Sequence, residues 1–424
     1  MTDIKAIDQV IERVKAILNG SRIAQVFENC YSNTITKTLK KEEDGTCFVI
    51  TGDIPVMWLR DSSCQMRPYV FLSAENEEIA DMIRGVIQRQ AGSILLDPYA
   101  NAFNETADGL GHQSDRTEMK PYLWERKYEI DSLCYPLQLS WNYWKTSGKK
   151  DAFDANWLKM AETILRVFRI EQYHESRSDY YFERFDCPET DTLKREGRGN
   201  PVKDGIGLIW SGFRPSDDAC VYGYFIPGNM LAVVELRHMA EILRTVYKAA
   251  ETAAEAEALA AEVDKAIGKY GIIHGEDGDS YAYEVDGFGN VLAMDDANLP
   301  SLLSAPYFGY GSTDDPLYVN TRRRILSHDN PYYYEGSCLK GIGSPHTPPG
   351  NVWDISLAME GLTNPLKEAK LKQLEIMIAN DAGTGMMHES INCCDANDFT
   401  RPWFSWANAV FSELVLQYTG ILPQ

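Results

Sequence analysis

An all-α fold is what this sequence predicts, and three observations predict it. Apolar residues recur at spacings of three and four through six separate segments, one stretch carries a clear β signal, and no change of composition marks a linker along the 424 residues. The chain therefore reads as one helical domain, 1–424, long for a single core but within the reach of closed toroids.

The first helix is carried by Ile7, Val10, Ile11, Val14, Ile17 and Leu18, an apolar stripe that stops near Gly20. The same periodicity predicts helices over 75–92, 126–146, 152–172, 228–248 and 251–268, the last closed by Lys269-Tyr270-Gly271 as a C-cap. The β signal runs from Tyr281 to Met294, where Asp286-Gly287 and Gly289-Asn290 offer the turns of a small hairpin. Long loops rich in aromatic residues, Gly and Pro fall at 93–123, 186–227 and 329–354, and such loops on a rigid scaffold carry function. No self-similar period supports a solenoid of exact repeats, although helical hairpins close a toroid without one.

Charge narrows the partners. Lys and Arg number 41 against 62 Asp and Glu, a net charge of −21 that opposes phosphate polyanions and anionic lipid, so neither nucleic acid nor membrane is expected, and no protein partner is inferred. The opening MTDIKAIDQVIERVKAILNG interleaves charges with apolar residues and lacks the apolar core of a signal peptide; no later stretch is apolar enough to span a bilayer. Nine cysteines without framework spacing, Cys393 and Cys394 adjacent, read as reduced thiols and a cytoplasmic location, with secretion and a few disulfides as the alternative.

The segment Thr51-Gly52-Asp53-Ile54-Pro55-Val56-Met57-Trp58-Leu59-Arg60-Asp61-Ser62 combines an aromatic ring, a guanidinium and carboxylates. Trp58 can stack on a pyranose face while Arg60 and Asp61 grip ring hydroxyls; equally, Arg60 and Asp61 can be a buried ion pair beside a core tryptophan. The blend recurs around Asn101 and Asn104, around Glu129 and Asp131, and around Asp295 and Asp296, which together suggest walls of one polar, aromatic-sided pocket. For Glu129 and Asp131 the plain reading is a solvated helix N-terminus.

Two segments can transfer protons. In Ser216-Asp217-Asp218 the adjacent carboxylates repel, so enclosure predicts one raised pKa and a protonated acid; Ser216 or Asp217 as a simple helix cap is the other reading. In Gly383-Thr384-Gly385-Met386-Met387-His388-Glu389, Glu389 is a candidate general base, or else a surface residue beside a packed His388. His346, in a Gly-Pro loop, is either a substrate contact or a buried loop anchor. No metal is expected, because the second histidine of a zinc-protease helix and any Cys-x-x-Cys pair are missing, and Gly341 to His346 lacks the ending of a phosphate loop.

In this order the motifs resemble glycoside hydrolase family 125: TGDIPVMWLRDS at 51–62, DPYANAFN at 97–104, WERKYEIDSLCYP at 124–136, SGFRPSDDA at 211–219, MDDANLPSLLS at 294–304, KGIGSPHTP at 340–348, then GTGMMHE and FTRPWFSWAN. They span nearly the whole chain. The resemblance implies an (α/α)6 toroid of paired helices with long functional loops, no cofactor, and metal-independent, inverting removal of terminal α-1,6-linked mannose from mannosides or N-glycan fragments. It implies a general acid in the Ser216-Asp217-Asp218 motif, assigned to Asp217 with Asp218 as rival, and a general base at Glu389. Trp58, Arg60, Asp61, Asn101, Asn104, Glu129, Asp131, Asp218, Asp295, Asp296, His346 and His388 are then the expected substrate contacts. Two other readings stand beside it: a sugar epimerase or isomerase using His346 and His388, and a non-catalytic glycan-binding protein.

Overall fold

A computed structural model describes residues 5–422 apart from position 277. Its helices in chain order are α1 (Lys5–Ile17), α2 (Arg22–Asn33), α3 (Leu59–Met66), α4 (Glu77–Leu96), α5 (Ile130–Ser147), α6 (Ala155–Glu171), the single turns α7 (His174–Arg177) and α8 (Lys194–Gly197), α9 (Ile226–Ile242), α10 (Ala250–Tyr270), α11 (Pro316–Ile325), α12 (Asp354–Leu362), α13 (Lys367–Ala379) and α14 (Ser405–Tyr418). Short strands, each no longer than six residues, link them in small two- and three-stranded antiparallel sheets. The expected hairpin is one of these, Glu284–Val285 against Val291–Leu292.

The helices form an (α/α)6 toroid with an inner and an outer layer. Inner neighbours pack as α3 on α5, α5 on α9, α12 on α14 and α14 on α3, while α4, α6, α10 and α13 pack outside them. Between α10 and α11 in the chain, a turn-rich segment around Leu302, Leu303, Ala305 and Phe308 is buried as deeply as the inner helices. From there Tyr307 reaches Glu413 of α14.

The layers differ as burial demands. In α10 a one-sided stripe of Ala253, Ala256, Leu259, Ala260, Val263, Ala266 and Ile267 is buried, and Gly271 caps it as expected. Helix α3 is buried at all eight positions although most of them are polar. Two outer helices start on side-chain caps, Asn76 for α4 and Asp154 for α6, whereas the outer α10 and α13 have none. Inner helices α3, α5, α9, α12 and α14 have no such cap; each begins where an extended motif ends, at Trp58, Glu129, Phe225, Trp353 and Phe404. Position 126 is therefore not the start of a helix: 126–129 stay extended, and α5 begins at Ile130. The uncapped N-termini present partial positive charge, which suits Asp61, Asp131 and Asp354 in their first turns. Among the described residues no helix is long and apolar enough to cross a membrane.

Candidate active site

The first and last motifs are sewn together at one end of the toroid. Gly52 bridges Phe404, the Asp53 amide donates to the Trp403 carbonyl (3.2 Å), and the Ser405 amide donates to the Thr51 carbonyl (2.9 Å). Gly52 has φ +133, and a Cβ there would lie 2.4 Å from the Trp403 oxygen, so only glycine permits this closure. Arg401 completes it by donating to Asp53 (3.0 Å) and Thr51 (3.3 Å).

Beside this seam lies a cavity of about 220 Å³ lined by Thr51, Ile54, Trp58, Arg60, Asp61, Pro215, Ser216, Asp217, Asn298, His346, Trp353, Glu389, Arg401, Phe404 and Trp406. Aromatic rings and carboxylates share its walls, the combination that holds a sugar by stacking and by directed hydrogen bonds. It shares Ile54, Trp58, Asp217 and His346 with an outer depression of about 370 Å³ that reaches Trp124, Lys127, Arg184 and Asp218.

One wall is organised by Arg60, buried in the first turn of α3. Its Nη1 lies 2.7 Å from Glu129 and 3.0 Å from Asp131, its Nη2 3.5 Å from Asp217, and its Nε 3.6 Å from Asp61. Glu129 and Asp131 do not line the cavity; they stand behind Arg60, fully enclosed, so they are neither solvated helix-end charges nor hydroxyl contacts. Burial lifts the Asp61 carboxyl to about 6, with Arg60 and Arg401 opposing the rise. Asn101 also sits behind the wall, its Nδ2 donating to Glu125 (2.9 Å) and Asp217 (3.4 Å) while its Oδ1 accepts from the Lys127 amide (3.2 Å).

Asp217 has φ +68, a left-handed backbone that turns its side chain away from that of Asp218. Asp217 faces Arg60 and Asn101, whereas Asp218 Oδ1 meets His346 Nδ1 at 3.1 Å. The expected mutual elevation of the two acids is thus absent for Asp217. Burial raises it, but Lys127, Arg60 and a hydrogen bond from Glu129 outweigh burial and hold it below the usual carboxylate range. Glu129 moves the opposite way, driven well up by burial against the pull of Arg60. His346 is pushed down by burial yet ends at about 9, because the Asp218 bond and the charges of Asp217 and Glu389 favour the imidazolium.

The other wall carries Glu389, at the start of the strand Ser390–Asn392, with Arg401 Nη1 3.6 Å away. Its neighbour His388 is turned elsewhere: its ring stacks on Phe399 at 4.0 Å, and its amide donates to Asp354 (2.6 Å). Asp295 holds the turn at 302–303 through two amides (2.9 and 3.0 Å), and Asp296 accepts from Asn298 and Ser344. Asn104 donates to the carbonyls of Leu110 and Pro121 beside a separate concavity. Of the expected contacts, Trp58, Arg60, Asp61 and His346 face the cavity with Asp217 and Glu389; Asn101, Asn104, Glu129, Asp131, Asp218, Asp295, Asp296 and His388 do not. Sequence reasoning passed over Asn298, Trp353, Arg401, Phe404 and Trp406, although the last three lie in the FTRPWFSWAN segment. An epimerase using two histidines loses its geometry, since His388 is outside. No cluster of three His, Cys, Asp or Glu residues among the described residues could hold a metal ion.

Carboxylates and aromatic rings lining one cavity of a helical toroid define the class as a carbohydrate-hydrolysing enzyme. The fold is shared with a bacterial glucoamylase in complex with acarbose, at 12% identity and a TM-score of 0.58 over 95% of this chain and 56% of that one, a likeness of fold alone. The metal-independent alpha-mannosidase family GH125 matches residues 20–416, and the chain belongs to it. A Streptococcus pneumoniae metal-independent α-mannosidase, solved in a non-productive complex with α-1,6-mannobiose, is 43% identical with a TM-score of 0.97, each chain covering 100% of the other. The meiotically up-regulated gene 157 protein of Schizosaccharomyces pombe is 42% identical over 435 residues, 97% of this chain and 85% of that protein.

Proposed function

We propose that this α-mannosidase is an inverting exo-enzyme that removes terminal α-1,6-linked mannose from mannosides or N-glycan fragments, with Asp217 as general acid and Glu389 as general base. The observation that carries the assignment is that Asp217 and Glu389 line one small cavity from elements far apart in the chain, while Asp218 is committed to His346. The terminal mannose fills this cavity against Trp58, Arg60, Asp61 and Trp406. The glycosidic oxygen lies beside Asp217, and the rest of the glycan extends into the outer depression that Asp217 also lines. Glu389 takes a proton from water as that water attacks C1, and Asp217 gives one to the departing oxygen. Inversion of this kind uses carboxyl groups about 6.5–9.5 Å apart, with room for the water. The α-1,6 linkage is supported by the mannobiose bound to the pneumococcal relative.

We further propose that 1–424 acts as one catalytic domain in the cytoplasm, a location supported by nine free cysteines, most of them buried. The activity test is incubation with α-1,6-, α-1,3- and α-1,2-mannobiose while the released anomer is followed by NMR. Release of β-mannose from the 1,6 isomer alone is the expected result. Release of α-mannose, or equal cleavage of the other linkages, overturns the assignment.

A further inference from the structure

Asp217 must deliver a proton, yet its surroundings favour its ionised form. Arg60 and Lys127 both approach it, the latter donating to its main-chain oxygen at 2.8 Å. The proton has to reside close by. Around Arg60 stand Asp61, Glu129, Asp131 and Asp217, and Lys127 is shared between Glu125 and Asp191, with His346 and Arg184 at the outer edge. Acids outnumber cations in this enclosure, and an uncompensated buried carboxylate is relieved most cheaply by binding a proton.

The hydrogen bonds indicate which acid binds it. Arg60 contacts Glu129, Asp131 and Asp217 alike and does not separate them, and Asp61 opens to the cavity between two arginines. Glu129 Oε2 already accepts from Arg60 (2.7 Å) and Ser132 (2.8 Å). Its other oxygen, Oε1, is directed to Asn101 Nδ2 (3.5 Å), the same amide that reaches Asp217 Oδ1 (3.4 Å). Glu129 and Asp217 are thus neighbours on the Arg60 side of the cavity, sharing the Arg60 guanidinium and the Asn101 amide. Two carboxyl groups gathered on the same two donors can hydrogen-bond to each other only when one of them carries a proton.

We infer that Glu129, a positioning residue that does not line the cavity, stores the proton that Asp217 delivers, so that the pair works as a one-proton dyad. This rests on the assignment of Asp217 as the acid. In the resting enzyme the proton is on Glu129 Oε1 and is donated to the Asp217 carboxylate. When a glycosidic oxygen takes its place beside Asp217, the proton passes from Glu129 to Asp217 and on to that oxygen as the C1–O bond breaks. The new C1–O bond forms from water, whose proton goes to Glu389. Glu129 is left ionised against Arg60 and Ser132, and solvent returns one proton to the dyad as Glu389 releases one, so the balance is one water consumed.

The experiment compares Glu129→Gln on α-1,6-mannobiose and on α-mannosyl fluoride, whose leaving group needs no proton donor. Glutamine keeps the size, the acceptor for Arg60 and a donor for Asp217, but holds no transferable proton. Expected are a fall in kcat/KM of at least 100-fold on mannobiose, a change of no more than about five-fold on the fluoride, and an alkaline limb of the mannobiose profile moved at least one unit to lower pH. Equal losses on both substrates would mark Glu129 as a scaffold for Arg60 and overturn the inference, as would mannobiose hydrolysis with an unmoved alkaline limb. Glu129→Asp, which keeps a protonatable group, is the second variant. It should recover mannobiose hydrolysis over Glu129→Gln, and no recovery also counts against the dyad. Asp217→Asn separates this from the underlying assignment: retention of mannobiose hydrolysis there removes Asp217 as the acid, whatever Glu129 does.

Discussion

The two walls of the cavity each hold one of the two carboxylates proposed for proton transfer, and they hold them differently. Asp217 is embedded in a buried lattice of ions centred on Arg60, tied at its carboxylate, its main-chain oxygen and its backbone conformation. Glu389 has Arg401 at 3.6 Å, a cation anchored to Asp53 and Thr51 on the seam. A base that takes a proton from water needs a negative charge within reach of the cavity; an acid needs a proton source and a fixed direction. The lattice on one side and its sparseness on the other match those two requirements.

The strongest way to break the comparison is to neutralise the sparse wall. Glu389→Gln is expected to lower kcat/KM by about 10²–10⁴-fold, and on α-mannosyl fluoride as much as on mannobiose, since both need an activated water. A variant that keeps the fluoride activity would move the base elsewhere. The lattice is tested next by Arg60→Met. Removing the one guanidinium that serves four carboxylates is expected to cost about 3–5 kcal/mol in urea unfolding, because it strands buried charge. A loss below about 1 kcal/mol would mean the acids are screened by something other than Arg60.

The sequence announced these walls unevenly, and the reason is burial. Helices with a one-sided stripe, such as α1 and α10, are legible because half of each faces water. The inner helices α3 and α14 are not: α3 reads as polar, with Arg60, Asp61, Ser62, Ser63 and Gln65 all buried, and α14 is buried along nearly its whole length, so neither shows a stripe. Motif order brought Asp217, Glu389, Trp58, Arg60, Asp61 and His346 to one place. It could not tell a residue that faces the cavity from one standing a layer behind, because Glu129 and Asp61 are the same chemistry until their backbones are placed. Arg401 escaped for a related reason, since its use depends on a closure between residues 348 positions apart.

A smaller effect sharpens the border between the walls. His346 bridges the Asp217-Asp218 turn and the Gly-Pro loop, and its pKa of about 9 lies above the unfolded value near 6.5. A raised histidine pKa contributes stability that is fully present below pH 6.5 and is lost as the pH climbs through 9. The wild-type protein should therefore exceed His346→Gln in Tm at pH 6, with the gap closing towards pH 10. A gap that widens with pH would reverse the sign of the interaction with Asp218. The side chain is part-exposed, so salt should narrow the gap as well.

The smallest expected effect on turnover is at Asn104, and it tests where the site ends. The residue belongs to the same motif as Asn101, and sequence reasoning placed both against the sugar. Asn101 touches Asp217, but Asn104 turns to the other face of the strand Ala102–Phe103 and satisfies the carbonyls of Leu110 and Pro121. Alternation along the strand accounts for the opposition. Asn104→Ala removes two hydrogen bonds but leaves Leu110 its bond from Gln113 and Pro121 its bond from the Gly109 amide, which should cost about 1–2 kcal/mol of stability. Because nothing in the cavity contacts it, kcat/KM on α-1,6-mannobiose should stay within about two-fold. A large loss of activity without a loss of Tm would place Asn104 in the glycan path and extend the site round the sheet to the concavity behind it.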